Sequence, residues 1–254
     1  MKIGVCASAD NAARAKAAGC DYIELNFGQV ARMSEEQYAQ TAADLEAGGL
    51  RAEAMNCFIP GDFNLYTLED GAALAEHIRV GLARAKALGA EVVVFGSAGA
   101  RRLPPGTEKA EGIAKLAPWF TLAGELAAEA GVTIAVEPLS YREDNAVNTL
   151  REGIALMDLV DRPGLRVLAD MYHMGENGED YADVLLAGAN LRHCHIGRPA
   201  GRTYPLPDDG YDYTPFFAAL RQMNYAGRLS IEAKPVNGPE DLPVCVAYLK
   251  ELAG

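Results

Sequence analysis

Two kinds of apolar spacing take turns along the chain. Short apolar runs, several rich in β-branched residues, occur at IGVCAS (3–8), YIELN (22–26), RAEAMNCF (51–58), VVVFGS (92–97), TIAVEPL (133–139), LRVLADM (165–171), LRHCHIG (191–197) and RLSIEAK (228–234). Runs of this length bounded by turn residues read as buried strands. Between them lie alanine- and leucine-rich stretches with helical spacing, among them 34–47, 69–88, 110–130, 147–160, 214–223 and 239–252. Start signals precede several: Ser34 with Glu36 and Gln37, Asn148 and Thr149 with Arg151 and Glu152, Pro239 with Glu240 and Asp241. Gly19, Gly48, Gly49, Gly89, Gly131 and Gly227 sit just ahead of the next strand, where helix C-terminal caps belong.

Eight strands alternating with helices over 254 residues predict an α/β fold, a (β/α)₈ TIM barrel, with residues 1–254 as one domain. A helix in each connection requires parallel strands, and eight parallel strands close without leaving an edge. An open doubly wound sheet has less support: no GxGxxG follows the first strand, and GSAGARR after the fourth lacks an acidic partner in place. No linker or low-complexity segment divides the chain.

Composition narrows the function. The chain is 50% hydrophobic and 23% charged, a globular balance. No stretch approaches the ~20 consecutive apolar residues of a membrane helix. The N-terminal MKIGVCASADNAARA turns polar too early for a signal peptide and reads as the first strand. A net charge of −12 with no basic stripe argues against a nucleic-acid partner. Five scattered cysteines, with no CxxC pair, are expected as free thiols in a reducing cytoplasm.

Barrels carry chemistry at the C-terminal ends of their strands. There the fifth strand offers Glu137, the sixth Asp170 with His173 three residues on, the seventh His193 and His195 on one face, and the eighth Glu232. A carboxylate ending one strand is commonly a helix cap, and a single histidine in an apolar run is commonly a packed core residue. Three carboxylates and an imidazole on four consecutive strands are different, because the charges repel unless a cation joins them. Glu137, Asp170, His195 and Glu232 are therefore the expected ligands of one divalent ion, Mn²⁺, Mg²⁺ or Co²⁺ before Zn²⁺. His193 lies deeper and is expected to support His195 from behind.

These segments resemble the xylose-isomerase-like barrel superfamily of sugar isomerases and epimerases, above all its ketose 3-epimerases and hydroxypyruvate isomerase relatives. VEPLSYRED (136–144) looks like the family's Glu-Pro-Leu segment, which implies Glu137 as ligand and Glu143 as a substrate contact. ADMYHM (169–174) resembles its Asp-x-x-His-Met element, which implies Asp170 on the metal and His173 on the substrate. HCH (193–195) resembles its His-x-His strand, and SIEAK (230–234) places Glu232 as the fourth ligand. The family's substrate-holding arginine usually lies six positions after the ligating histidine. That position here is Gly201, so either Arg202, shifted by one residue, or Arg198 takes the part. The likeness also places Cys6, Glu24, Asn56 and Ser97 at the pocket's floor and wall; for Glu24 a helix cap is an equal reading.

The implied activity is metal-dependent ketose 3-epimerisation or aldose–ketose isomerisation, α-proton transfer through a cis-enediolate. Glu137 and Glu232 would be both ligands and the acid/base pair. A lyase or dehydratase acting on an inosose or 3-keto glycoside needs the same proton abstraction, and a non-catalytic sugar-binding barrel is the more distant reading. The superfamily's abasic-DNA endonucleases need additional histidines for three zinc ions, and only four histidines exist here. The implied partner is a small carbohydrate, with a homo-oligomer, dimeric or tetrameric, as the family's usual assembly. Aromatic residues of and around the loop NCFIPGDFNLY, namely Phe58, Phe63, Tyr66 and Tyr141, are candidates for a lid, with Trp119 expected in the core or a subunit interface. His77, within a helical stretch, is expected at the surface or in packing.

Overall fold

All eight strands run parallel and close on themselves: β1 (Lys2–Cys6), β2 (Tyr22–Asn26), β3 (Ala54–Asn56), β4 (Val92–Phe95), β5 (Thr133–Val136), β6 (Leu165–Asp170), β7 (Leu191–Ile196) and β8 (Arg228–Ile231), in sequence order, with β8 paired back to β1. The computed structural model describes residues Met1–Gly254. Around the barrel lie α1 (Ala12–Ala17), α2 (Phe27–Arg32), α3 (Glu35–Gly48), α4 (Ala72–Leu88), α5 (Ala98–Arg101), α6 (Lys109–Ala130), α7 (Leu150–Val160), α8 (Met171–Asn177), α9 (Val184–Ala187), α10 (Thr214–Gln222) and α11 (Asp241–Ala253). No helix is long and apolar enough to cross a membrane.

Local chemistry sets the ends of these elements. Ser34 with Gln37, and Thr149 with Glu152, form reciprocal capping boxes that start α3 and α7. The strands stop earlier than their apolar runs. Cys57 and Ser97 take left-handed backbone angles (φ 54° and 39°), which turn the chain out of β3 and β4, and Pro138 follows β5 closely. The short helices α2 and α8 begin directly at the strand ends, capped by Asn26 and Asp170.

Alternation along the strands separates two cores. Outward residues such as Ile3, Ile23, Met55, Val93, Ile134 and Val167 pack in the large cluster beneath the helices. Inward residues Tyr22, Ala54, Val92, Val94, Ala135 and Leu168 form a separate apolar plug. The Tyr22 ring lies over β1 where Gly4 has no side chain; a Cβ there would meet the ring at 2.4 Å. The filled interior confines solvent and chemistry to the two ends of the barrel.

At the N-terminal end the charges are structural. Glu53 accepts from Lys2 (2.7 Å) and Arg228 (2.6 Å), and Arg228 also reaches Glu91 at 2.8 Å. Burial favours the protonated form of Glu53, but hydrogen bonds from Lys2 and Arg228 outweigh it and hold its pKa below the ordinary glutamate value. A carboxylate depressed in the folded state stabilises the fold above its unfolded pKa, near 4.3, and loses that contribution as pH falls through the folded value. Glu53→Gln should therefore be less stable than wild type at pH 7, with the gap narrowing towards pH 3, as read from urea unfolding midpoints at the two pH values.

Candidate metal centre and its cleft

Above the apolar plug the interior becomes polar. Glu24, on β2, is 1% exposed and uses both carboxylate oxygens internally. His193 Nε2 donates to its Oε2 (2.8 Å), His195 Nε2 donates to its Oε1 (2.9 Å), and Ser230 adds a third bond while facing Tyr22 OH at 2.6 Å. Burial alone would raise the Glu24 pKa; His195 and His193 outweigh it, so this carboxylate stays charged far below the ordinary range. Burial pulls His193 down, which leaves it a neutral donor. Two hydrogen-bonded histidines on one carboxylate fix both ring orientations.

One layer higher stand Glu137, Asp170, His195 and Glu232, their ligand atoms all within 4.8 Å of one another. With its Nε2 spent on Glu24, His195 presents Nδ1 to the ring, 2.9 Å from Glu137 Oε1 and 2.9 Å from Glu232 Oε2. Ligands about 2.1 Å from a hard divalent ion stand about 3 Å apart at right angles, so these spacings and this oxygen-rich donor set fit such an ion. Burial would lower the His195 pKa, but Glu24, Glu232 and Glu137 together drive it well above the ordinary value. The carboxylates are not equivalent. Burial raises Glu137 against the pull of His195, whereas Glu232, facing His195 and Arg202, is held down at about 2 despite burial.

Supporting groups orient each ligand. Asp170 Oδ1 accepts from Tyr172 N (2.7 Å) and caps α8, which aims Oδ2 at the ring. Asn56 Nδ2 donates to Glu232 Oε1 at 3.0 Å. Arg202, in a left-handed conformation (φ 50°) after Gly201, lies against the Tyr172 ring with its Nη2 at 2.5 Å from Glu232 and 3.4 Å from Asp170. Burial favours its neutral form, but the surrounding carboxylates, Glu232 first, raise its pKa still further. Glu143 stands 3.7 Å from Arg202 Nη1. Ser140 N–H donates to His173 Nδ1 (3.0 Å), so the His173 proton sits on Nε2, which is buried beside Asp170 without a hydrogen-bond partner. A buried donor aimed into a polar cleft is suited to a ligand oxygen.

Two supports carry no signal in the sequence. Arg101, fully buried on α5, donates from Nε to Asp144 Oδ2 (2.8 Å), from Nη1 to Phe95 O (3.0 Å) and from Nη2 to Glu137 O (2.7 Å). It thereby ties the loop after β5 to the backbone of Glu137. Gly96 lies beside the Glu137 carboxylate: a Cβ there would meet Oε2 at 2.2 Å, nearer than any tolerated contact. Gly96→Ala should therefore displace Glu137 and weaken Mn²⁺ binding about 10–100-fold, the usual cost of losing a ligand's orientation. Calorimetric titration with Mn²⁺ tests this, and an unchanged far-ultraviolet circular dichroism spectrum shows that the fold is retained.

Other sequence expectations find different places. Glu24, expected on the pocket wall or as a cap, is neither; it lies behind His195. Cys6 stands within 4.8 Å of Glu24 and His195, and burial, with Glu24 and Glu232 adding to it, pushes its thiol well up. Of the two arginines, Arg202 lines the cleft, whereas Arg198 pairs through its backbone with Thr203 and does not. Glu143, His173, Asn56 and Ser97 also line it. The suggested aromatic lid is absent from the cleft wall. Phe58 is buried, Phe63 packs on His77, Tyr141 points to solvent at 62% exposure, and Trp119 donates to Leu65 O at 2.7 Å. Cys57, Ile59, Pro60 and Gly61 line the cleft instead.

The sequence matches the family described as xylose isomerase-like TIM barrel over residues 12–252. An L-ribulose 3-epimerase of Methylomonas sp. (strain DH-1) is 40% identical over 111 residues, 43% of this chain and 38% of that protein. The shared segment thus covers little more than a third of that relative's length. The crystal structure of a D-allulose 3-epimerase from Methylomonas sp. superimposes with a TM-score of 0.82 at 26% identity, covering 99% of this chain and 98% of that one. A D-psicose 3-epimerase, solved in the presence of D-fructose, matches in fold with a TM-score of 0.86 at 19% identity, covering 100% of each chain.

Proposed function

The chain belongs to the xylose isomerase-like TIM barrel family, and from that premise we propose that it is a divalent-metal-dependent ketose 3-epimerase. The observation that carries this reading is the pair Glu137 and Glu232, each 2.9 Å from His195 Nδ1 and on strands three places apart around the ring. Two carboxylates converging from separate strands can serve opposite faces of one carbon, one removing a proton and the other returning it. Resemblance to known proteins supports the same class, since a relative over part of this chain and a structure matching its whole fold are 3-epimerases.

Glu137, Asp170, His195 and Glu232 would hold the metal. When bound, it supplies Lewis-acid polarisation of the substrate carbonyl and its neighbouring hydroxyl. The hard oxygen donors favour Mn²⁺, Mg²⁺ or Co²⁺ over a thiolate-preferring ion. His173 Nε2–H donates to a substrate oxygen. Arg202, braced on Tyr172, sets the charge around Glu232 and reaches substrate oxygens with Glu143 beside it. Glu24 and His193 hold His195 in register from behind. The five free cysteines accord with a cytoplasmic setting.

The test is incubation of Mn²⁺-loaded protein with fructose, psicose, ribulose and tagatose in deuterated water, followed by nuclear magnetic resonance. Deuterium at C3 of both epimers, abolished by a chelator, is the expected result. Loss of water from the substrate would assign the chain to lyase chemistry, and no exchange with any ketose would remove the proposal.

A further inference from the structure

The ring occupies only the inner end of a cleft of about 990 Å³, at the upper limit of what encloses a drug-sized ligand. From Glu137 and Glu232 it runs outward past β3 to α2 and the start of α3, where Asn26, Gln29, Arg32, Gln37, Gln40 and Thr41 line it. A single six-carbon sugar held at the ring leaves this outer part unused. The outer wall carries Asn26, Gln29, Gln37, Gln40 and Thr41, whose side chains can hydrogen-bond a hydroxylated group.

The amides of this wall are tethered at one end and open at the other. Asn26 Oδ1 accepts from Gln29 N (2.9 Å), which leaves its Nδ2 donor without an internal partner. Gln37 Oε1 accepts from Ser34 N (2.9 Å), which leaves Nε2. Gln40 Nε2 donates to Asp44 at 2.7 Å, which leaves Oε1 as an acceptor. Side chains already held by one bond lose little rotational freedom when they make a second. Two donors and one acceptor match hydroxyl groups, which both give and take hydrogen bonds. The wall offers no free cation: Arg32 is doubly bonded to Asp62 at 2.8 and 2.7 Å, and the protein carries a net charge of −12.

We propose that this outer wall is a second sugar subsite, and that the substrate is a neutral ketose bearing a glycosyl group at its far end rather than a free or phosphorylated monosaccharide. The inference rests on the epimerase reading for the inner end and adds the substrate class.

The probes are isomaltulose and leucrose, which carry glucose on O6 and O5 of fructose, against fructose and fructose 6-phosphate. Deuterium exchange at C3 gives kcat/KM for each with wild type, Gln40→Ala and Gln37→Glu. The second variant keeps the helix start, because glutamate also closes the capping box, but replaces the open donor by an acceptor. At least one disaccharide should exceed fructose in kcat/KM with wild type. Each variant should lower that disaccharide about 5-fold, the value of one neutral hydrogen bond, and leave fructose unchanged. Equal effects on fructose and the disaccharides, no effect on any sugar, or a preference for fructose 6-phosphate would overturn the subsite. If no sugar exchanges, the epimerase reading fails by itself. Calorimetric binding then decides the subsite: a disaccharide preference over fructose that both variants reduce upholds it, and none removes it.

Discussion

Glu232→Gln should lower epimerisation at least about 10³-fold, within the range by which a positioned acid or base accelerates proton transfer. The amide keeps one oxygen that can ligate in place of Oε2, and its NH2 then faces Asn56, whose own amide can turn to accept from it, so metal affinity should fall far less than turnover. It cannot hold the transferred proton. His195 and Arg202 keep Glu232 ionised against the effect of burial, so it is available to accept a proton. The single variants Glu232→Gln and Glu137→Gln should differ: each blocks net epimerisation, while residual exchange at C3 survives only from the epimer whose proton faces the intact partner. Comparing deuterium uptake from both epimers, with Mn²⁺ affinity measured beside it, separates loss of the base from loss of the metal. Near-normal exchange from both epimers in Glu232→Gln would end the two-base assignment.

Arg101→Ala carries the largest expected cost in stability, about 3–5 kcal/mol, because it leaves Asp144 as an uncompensated buried charge. The pair is fully buried, and the same guanidinium satisfies the carbonyls of Phe95 and Glu137. Replacing both charges, with Arg101→Met and Asp144→Leu, should recover part of the loss, since no charge is then stranded, but not all of it, because the Glu137 carbonyl loses its donor and Val147 N–H its acceptor, whereas the Phe95 carbonyl keeps its bond from Glu137 N–H. Urea unfolding of the two single variants and the double variant measures this. A loss below about 1 kcal/mol for Arg101→Ala, in the range of a surface pair, would show that the loop after β5 is held by other contacts.

The barrel and its ring were legible because both depend on periodicity. Alternation assigns Glu137, Asp170, His195 and Glu232 to the inner face of their strands, and the closed order β5 to β8 brings them together. Arg101 was not legible. In the sequence it is one of two adjacent arginines in a polar turn, and only closure of the barrel carries it beneath the loop after β5. Gly96 was invisible for the opposite reason: its part is the room it leaves, which depends on where a side chain forty-one positions later points. Glu24, expected on the pocket wall or as a cap, lies beneath the ring, since spacing cannot tell a carboxylate that faces a cleft from one that faces two histidines across the barrel. The helices α2 and α8 are too short to show an apolar period, and their start signals, Asn26 and Asp170, sit inside strand patterns.

Asp170 turns the arrangement into something that can be watched. One of its oxygens faces the ring, and the other holds the amide hydrogen of Tyr172 at the first turn of α8. Ion occupancy and fraying of that turn are thus two readings of a single carboxylate torsion. The Tyr172 amide should trade its hydrogen with solvent more slowly as the ion is titrated in, which makes one backbone resonance a local gauge of loading that needs neither substrate nor turnover.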